Sequence, residues 1–149
     1  MSIKKHLYFS LSLIWAFIWD ISSKYWALGH IDERVYLIGN IMYFDIFKNP
    51  GIAFSIPLTG IVLKIVTIVL ILGLFGYYLS QEAGKKNLYI DIAFGMILGW
   101  ALWNAIERIY FESVTDFIGV THFAVMNFAD ICISLGAILY LWDSIFRKK

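Results

Sequence analysis

The chain has 149 residues, of which 60% are hydrophobic and 15% charged, and its mean hydropathy is +0.74. Soluble domains sit nearer about 45–50% apolar, so this composition excludes an ordinary soluble globule and points to one integral membrane domain over residues 1–149. Twelve basic against eleven acidic residues leave a net charge of +1, which provides no field for nucleic acid. Cys132 stands alone and His6, His30 and His122 are scattered, so no internal disulfide, metal set or cofactor is expected.

A spanning helix needs about 20 mostly apolar residues, and four runs qualify. The first covers roughly Leu7 to Leu28 and follows Lys4 and Lys5. It carries Asp20 and Lys24 and is long for a cleavable h-region, so it is expected to stay as an anchor. Next come Arg34 to Ile38 and Ile41 to Phe47, rich in β-branched and aromatic residues, with Gly39-Asn40 between them. This predicts a small hairpin on the outer membrane surface within residues 29–59. Asn49-Pro50-Gly51 then turns the chain toward a second span, about Gly60 to Leu79. Lys64 near its start is expected to snorkel outward. The short link holding Lys85 and Lys86 leads to the third span, about Leu88 to Ile109. There Gly95 and Gly99 share a face suited to close helix packing. The fourth span is about Ala124 to Phe146, followed by Arg147-Lys148-Lys149. Every basic cluster then lies on one side, so both termini face the cytoplasm and residues 29–59 and 110–123 face outward. The fold class is an all-α membrane protein of four spans with a small β-rich outer segment between the first two.

Polar groups at a membrane edge are costly and usually functional. Asn104, Glu107 and Arg108 share one helix face, at spacings of three and four. Asn127 to Asp130 reads as a helix start, with Asn127 capping and Asp130 at the third helical position. Two acids converging from neighbouring helices suit a two-carboxylate hydrolase. Asp130 at a helix N-terminus is the expected ionised base, and Glu107 near a helix C-terminus the protonated acid. Asp20 and Lys24 form an i, i+4 pair placed in the periphery.

The ordered set Asp20-Ile21-Ser22-Ser23-Lys24, Asn49-Pro50-Gly51-Ile52-Ala53-Phe54-Ser55, Gly99 to Arg108, Val114-Thr115-Asp116-Phe117 and Asn127-Phe128-Ala129-Asp130 with Gly136 resembles lipoprotein signal peptidase (signal peptidase II) over nearly the whole chain. The resemblance implies a bacterial inner-membrane aspartyl protease. Such enzymes cut the signal peptide from prolipoproteins just before a diacylglyceryl-bearing cysteine. It implies that Asp130 is one catalytic aspartate, with Asn104, Arg108 and Asn127 around the dyad. Asn49, Gly51, Ala53 and Phe54 would help hold substrate, and Asp20, Lys24 and Asp116 would support the site. Where the family's third-helix pattern ends Asn-x-x-Asp-Arg, this chain has Asn104-Ala105-Ile106-Glu107-Arg108, so the resemblance puts Glu107 in place of the first catalytic aspartate. Trp100 and Trp103 occupy positions where the family has glycine, and they could narrow a lipid-facing groove. Should Glu107 prove dispensable, Asp116 is the alternative partner. The implied partners are lipid-modified prolipoproteins and membrane lipid, with the protein a monomer. Two other readings stay open: a non-catalytic relative that binds lipidated signal peptides or lipoproteins, and a small transporter or channel component.

Overall fold

In a computed structural model, residues 6–51, 59–85 and 87–146 are described. Four long helices are present: α1 (Leu7–His30), α2 (Gly60–Tyr77), α3 (Leu88–Phe111) and α4 (Phe128–Phe146). A π-helical turn, Tyr78–Glu82, extends α2. Among the described residues, two helical stretches are long and apolar enough to cross a membrane, Gly60–Glu82 and Leu88–Phe111. The 24 residues of α1 would reach about 36 Å.

The molecule is apolar on its outside. In α2 only Leu63 is buried, while Ile61, Val69, Leu70 and Leu72 are exposed. On α1, Leu11, Trp15, Ile18 and Trp19 face outward, while Asp20 and Lys24 are buried. Water would punish such an arrangement, whereas hydrocarbon favours it.

The β structure is larger than the chain pattern predicts. A hairpin of β1 (Val35–Ile38) and β2 (Met42–Asn49) forms as expected, with Gly39 turning at φ +51. Residues 110–123, expected as a plain connection, contribute β3 (Val114–Val120), and β4 (Ala124–Met126) follows. The four strands form one antiparallel sheet in the order β1-β2-β3-β4. α4 therefore begins at Phe128, and residues 124–126 belong to the sheet. Strand β3 has the alternation of neither face in water. It is buried along nearly its whole length because β2 and β4 flank it and the helices lie beneath. Ala27, Ile31, Phe117 and Ile118 make the apolar seam where the sheet meets the bundle.

Helices α1 and α3 approach closely at two glycines. A Cβ added at Gly95 would lie 2.4 Å from the Phe9 carbonyl oxygen, and one at Gly99 would lie 2.3 Å from that of Leu13. Only glycine lets the two backbones touch there. This contact sets the bundle's central seam and so places Asn104 and Glu107, further along α3, opposite Lys24 on α1.

Candidate active site

Four segments converge at the end of the bundle that carries the sheet: the last turns of α1 and α3, strand β3 and the first turn of α4. Lys24 is 1% exposed, and its ammonium donates three hydrogen bonds. They go to Asp20 Oδ2 at 3.0 Å, Asn104 Oδ1 at 2.5 Å and Glu107 Oε2 at 2.6 Å. An ammonium has three protons, so Lys24 is saturated. Asp20 and Lys24 thus occupy the heart of a buried ion network, not the periphery.

Glu107 is committed on both oxygens. Oε2 takes Lys24, and Oε1 takes the Thr115 hydroxyl at 2.7 Å and the Thr115 N–H at 3.3 Å. Asp116, next along β3, is held differently. Asn49 Nδ2 donates to its Oδ2 at 2.9 Å, and Asn127 Nδ2 donates to its Oδ1 at 2.7 Å. The same Asn127 also binds Asp130. Its N–H donates to Asp130 Oδ2 at 3.2 Å, and its Oδ1 accepts from the Asp130 N–H at 3.1 Å. That reciprocal pair is a capping box, which forms because Asn127 ends β4's exit and Asp130 sits three residues on. One fully buried asparagine therefore fixes two aspartates at once.

Asp116 lies outside the helices, and its carboxyl is pushed up to about 6. Burial is the main cause and the nearby charge of Asp130 the next, opposed by the hydrogen bonds from Asn49 and Asn127. The guanidinium of Arg108 lies in the field of Asp130, Asp116 and Glu107. Its Nη2 is 3.5 Å from the Gly51 carbonyl oxygen, and its buried Nε has no partner. The Gly51 N–H in turn donates to Asn49 Oδ1 at 3.0 Å, a local turn that braces Asn49. Ala53 and Phe54 lie outside the described residues.

Trp100 does not line a groove. It is buried against Ala16 and Ala129, so it fills the seam between α1, α3 and α4. Trp103 meets Phe17 edge to face, with ring centroids 5.8 Å apart. An apolar groove of about 670 Å³ does open between α3 and α4, lined among others by Met96, Ile97, Cys132, Leu135 and Gly136. Among the described residues no cluster of three or more His, Cys, Asp or Glu could hold a metal.

Of the residues expected from the sequence, the structure brings Asn49, Gly51, Asn104, Arg108, Asn127 and Asp130 together at this end of the bundle. Not foreseen from the sequence were Thr115 and Lys48, whose ammonium donates to the Thr115 hydroxyl at 2.8 Å. Their signal was a strand pairing, Lys48 opposite Thr115, which becomes visible only once β2 and β3 are in register.

A family profile described as Signal peptidase (SPase) II matches residues 12–146. A lipoprotein signal peptidase of Bartonella bacilliformis is 35% identical over 152 residues, covering 96% of this chain and 90% of that protein. One of Nostoc punctiforme is 33% identical, covering 99% of this chain and 94% of its own length. A bacterial membrane enzyme solved by the in meso method at 2.3 Å superposes with a TM-score of 0.77 at 24% identity, covering 93% of this chain and 90% of that one, which supports the fold. With the profile running from within α1 to the end of α4, and relatives matching nearly end to end, the chain belongs to the signal peptidase II family of lipoprotein signal peptidases.

Proposed function

We propose that this protein removes signal peptides from diacylglyceryl-cysteine prolipoproteins by an aspartyl mechanism, and that its reacting carboxylates are Asp116 and Asp130. The observation that carries the pairing is Asn127, which donates to both aspartates. Glu107, the acid expected from the chain pattern, has its oxygens taken by Lys24 and Thr115 and is assigned a holding role.

In the proposed reaction a water lies between the two aspartates. Asp130 is the ionised partner, because it sits at the N-terminus of α4 and accepts the Asn127 N–H. Asp116 carries the proton that the two share, in keeping with its raised pKa. Asp130 takes a proton from the water as its oxygen attacks the scissile carbonyl carbon. Asp116 gives its proton to the carbonyl oxygen. Collapse of the tetrahedral species returns one hydroxyl proton to Asp116 and breaks the C–N bond, and the amine of the lipid-bearing cysteine leaves with the proton that Asp130 took. Arg108 and Asn49 face the same space and are assigned to hold the substrate backbone. The groove beside Cys132 offers the apolar part of the substrate a place two residues from Asp130.

The apolar exteriors support a membrane protein; we further propose four spans in a bacterial inner membrane, both termini cytoplasmic, the site at the outer face, and a monomer as the working unit. Lys85, between α2 and α3, lies at the end of the bundle opposite the sheet, as a cytoplasmic link should.

The test is cleavage of a diacylglyceryl-modified prolipoprotein by the purified protein in lipid. Asp116→Asn and Asp130→Asn are each expected to abolish cleavage, and Glu107→Gln to slow it without abolishing it. Full activity in Asp116→Asn with none in Glu107→Gln would return the acid to Glu107. Binding without turnover by the parent would identify a non-catalytic relative.

A further inference from the structure

We propose that Glu107 and Thr115 form a coupled positioning pair that aims Asp116, an assignment that rests on the Asp116/Asp130 reading above. The pair is built across three elements. Glu107 reaches from α3, takes Lys24 of α1 on Oε2 at 2.6 Å, and takes Thr115 of β3 on Oε1 at 2.7 Å. Thr115 has 0% exposure, and its hydroxyl also accepts from Lys48 of β2 at 2.8 Å. The hydroxyl is thus satisfied as donor and as acceptor inside the protein.

Strand geometry turns this grip into control of the neighbouring residue. Successive side chains on a strand point to opposite faces. Thr115 and its register partner Lys48 share one face of the sheet. Asp116 and Asn49, one residue along in each strand, share the other, where they bond to each other. Holding Thr115 to Glu107 therefore fixes the local pleat of β3 and so the direction of Asp116. Misplacing a reacting group by about 1 Å can cost on the order of 100-fold in rate, which is the leverage such a grip has.

Side-chain length couples the two residues. A carboxylate at position 107 must span from the Lys24 ammonium to the Thr115 hydroxyl. Glu107→Asp shortens that reach by one methylene, so it holds Lys24 and releases Thr115. The Thr115 hydroxyl would then be a buried donor without an acceptor, the costly half of a broken hydrogen bond. Thr115→Val removes that hydroxyl at nearly constant shape. The second change should therefore repair part of the damage done by the first.

The experiment measures kcat and KM of the full chain in lipid for Thr115→Val, Thr115→Ser, Glu107→Asp and Glu107→Asp/Thr115→Val, beside Asp116→Asn. Folded protein is quantified by thermal unfolding. Thr115→Val is expected to lower kcat by about 10-fold or more while KM stays within about 2-fold, and Thr115→Ser to restore kcat. The double variant is expected to turn over faster than Glu107→Asp alone. Parental kcat in Thr115→Val overturns the proposal, as do single effects that simply multiply in the double variant. If Thr115→Val is not recovered folded, the comparison of Glu107→Asp with the double variant decides alone, with equal or lower kcat in the double overturning the pair. Asp116→Asn keeps the two readings apart. Activity there removes the dyad itself, whereas a dead Asp116→Asn beside a parental Thr115→Val removes only the positioning pair.

Discussion

Lys24→Met is the most demanding perturbation of the network beneath the site. Methionine keeps most of the apolar stem that Lys24 packs and removes only the ammonium. That ammonium is buried and satisfies Asp20 at 3.0 Å, Asn104 at 2.5 Å and Glu107 at 2.6 Å. Its loss strands two buried carboxylates, one of which, Asp20, already has an unpartnered Oδ1. Removing one member of a buried ion pair costs about 3–5 kcal/mol, mostly from the charge left behind. The expected loss of stability is therefore about 3–5 kcal/mol, against about 1 kcal/mol at most for an exposed pair. The triple variant Lys24→Met/Asp20→Asn/Glu107→Gln removes all three charges together and is expected to regain most of the loss. Thermal and chemical unfolding in detergent would measure both. A loss below about 1 kcal/mol for Lys24→Met, or no recovery in the triple variant, would refute the claim that the network is a closed buried ion cluster.

Other expectations follow from single contacts. Asp116 holds its proton up to about 6, against 3.8 for an ordinary aspartate, so the folded state binds the proton more tightly than the unfolded chain. Its contribution to stability is full below the unfolded value and is lost as pH rises through about 6, by up to roughly 3 kcal/mol; unfolding measured across this range should flatten in Asp116→Asn, and an unchanged slope would contradict the assignment. Asn49→Ala removes a hydrogen bond that lowers the Asp116 pKa, so the alkaline limb of kcat/KM should move to higher pH; a downward move would contradict it. Gly99→Ala places a Cβ 2.3 Å from the Leu13 carbonyl oxygen and should cost about 1–3 kcal/mol by forcing α1 and α3 apart; a neutral result would mean that the seam is looser than described. At the far end of the bundle, Tyr140 donates to buried Glu82 at 3.0 Å, and Tyr140→Phe should lower stability by about 1 kcal/mol in thermal unfolding.

Much of this protein is legible in its chain. Four apolar runs, the second and third parted by Lys85 and Lys86, mark the four helices, because a long apolar stretch satisfies its backbone within itself as a helix. Gly39-Asn40 marks the hairpin turn, because a tight turn needs a residue that accepts positive φ. The reciprocal Asn127–Asp130 cap is also readable, because it is local and depends on a spacing of three. What the chain does not show is which acids face each other. Glu107 and Asp116 are both near Asp130 in any reading of the motifs, and both are carboxylates. Only the register of β2 on β3 and the close crossing of α1 on α3 separate them. The helix crossing brings Lys24 onto Glu107, and the strand register brings Asn49 onto Asp116. Those partners lie 83 and 67 residues apart, and contacts over such distances are set by packing, not by any local preference of the residues that make them.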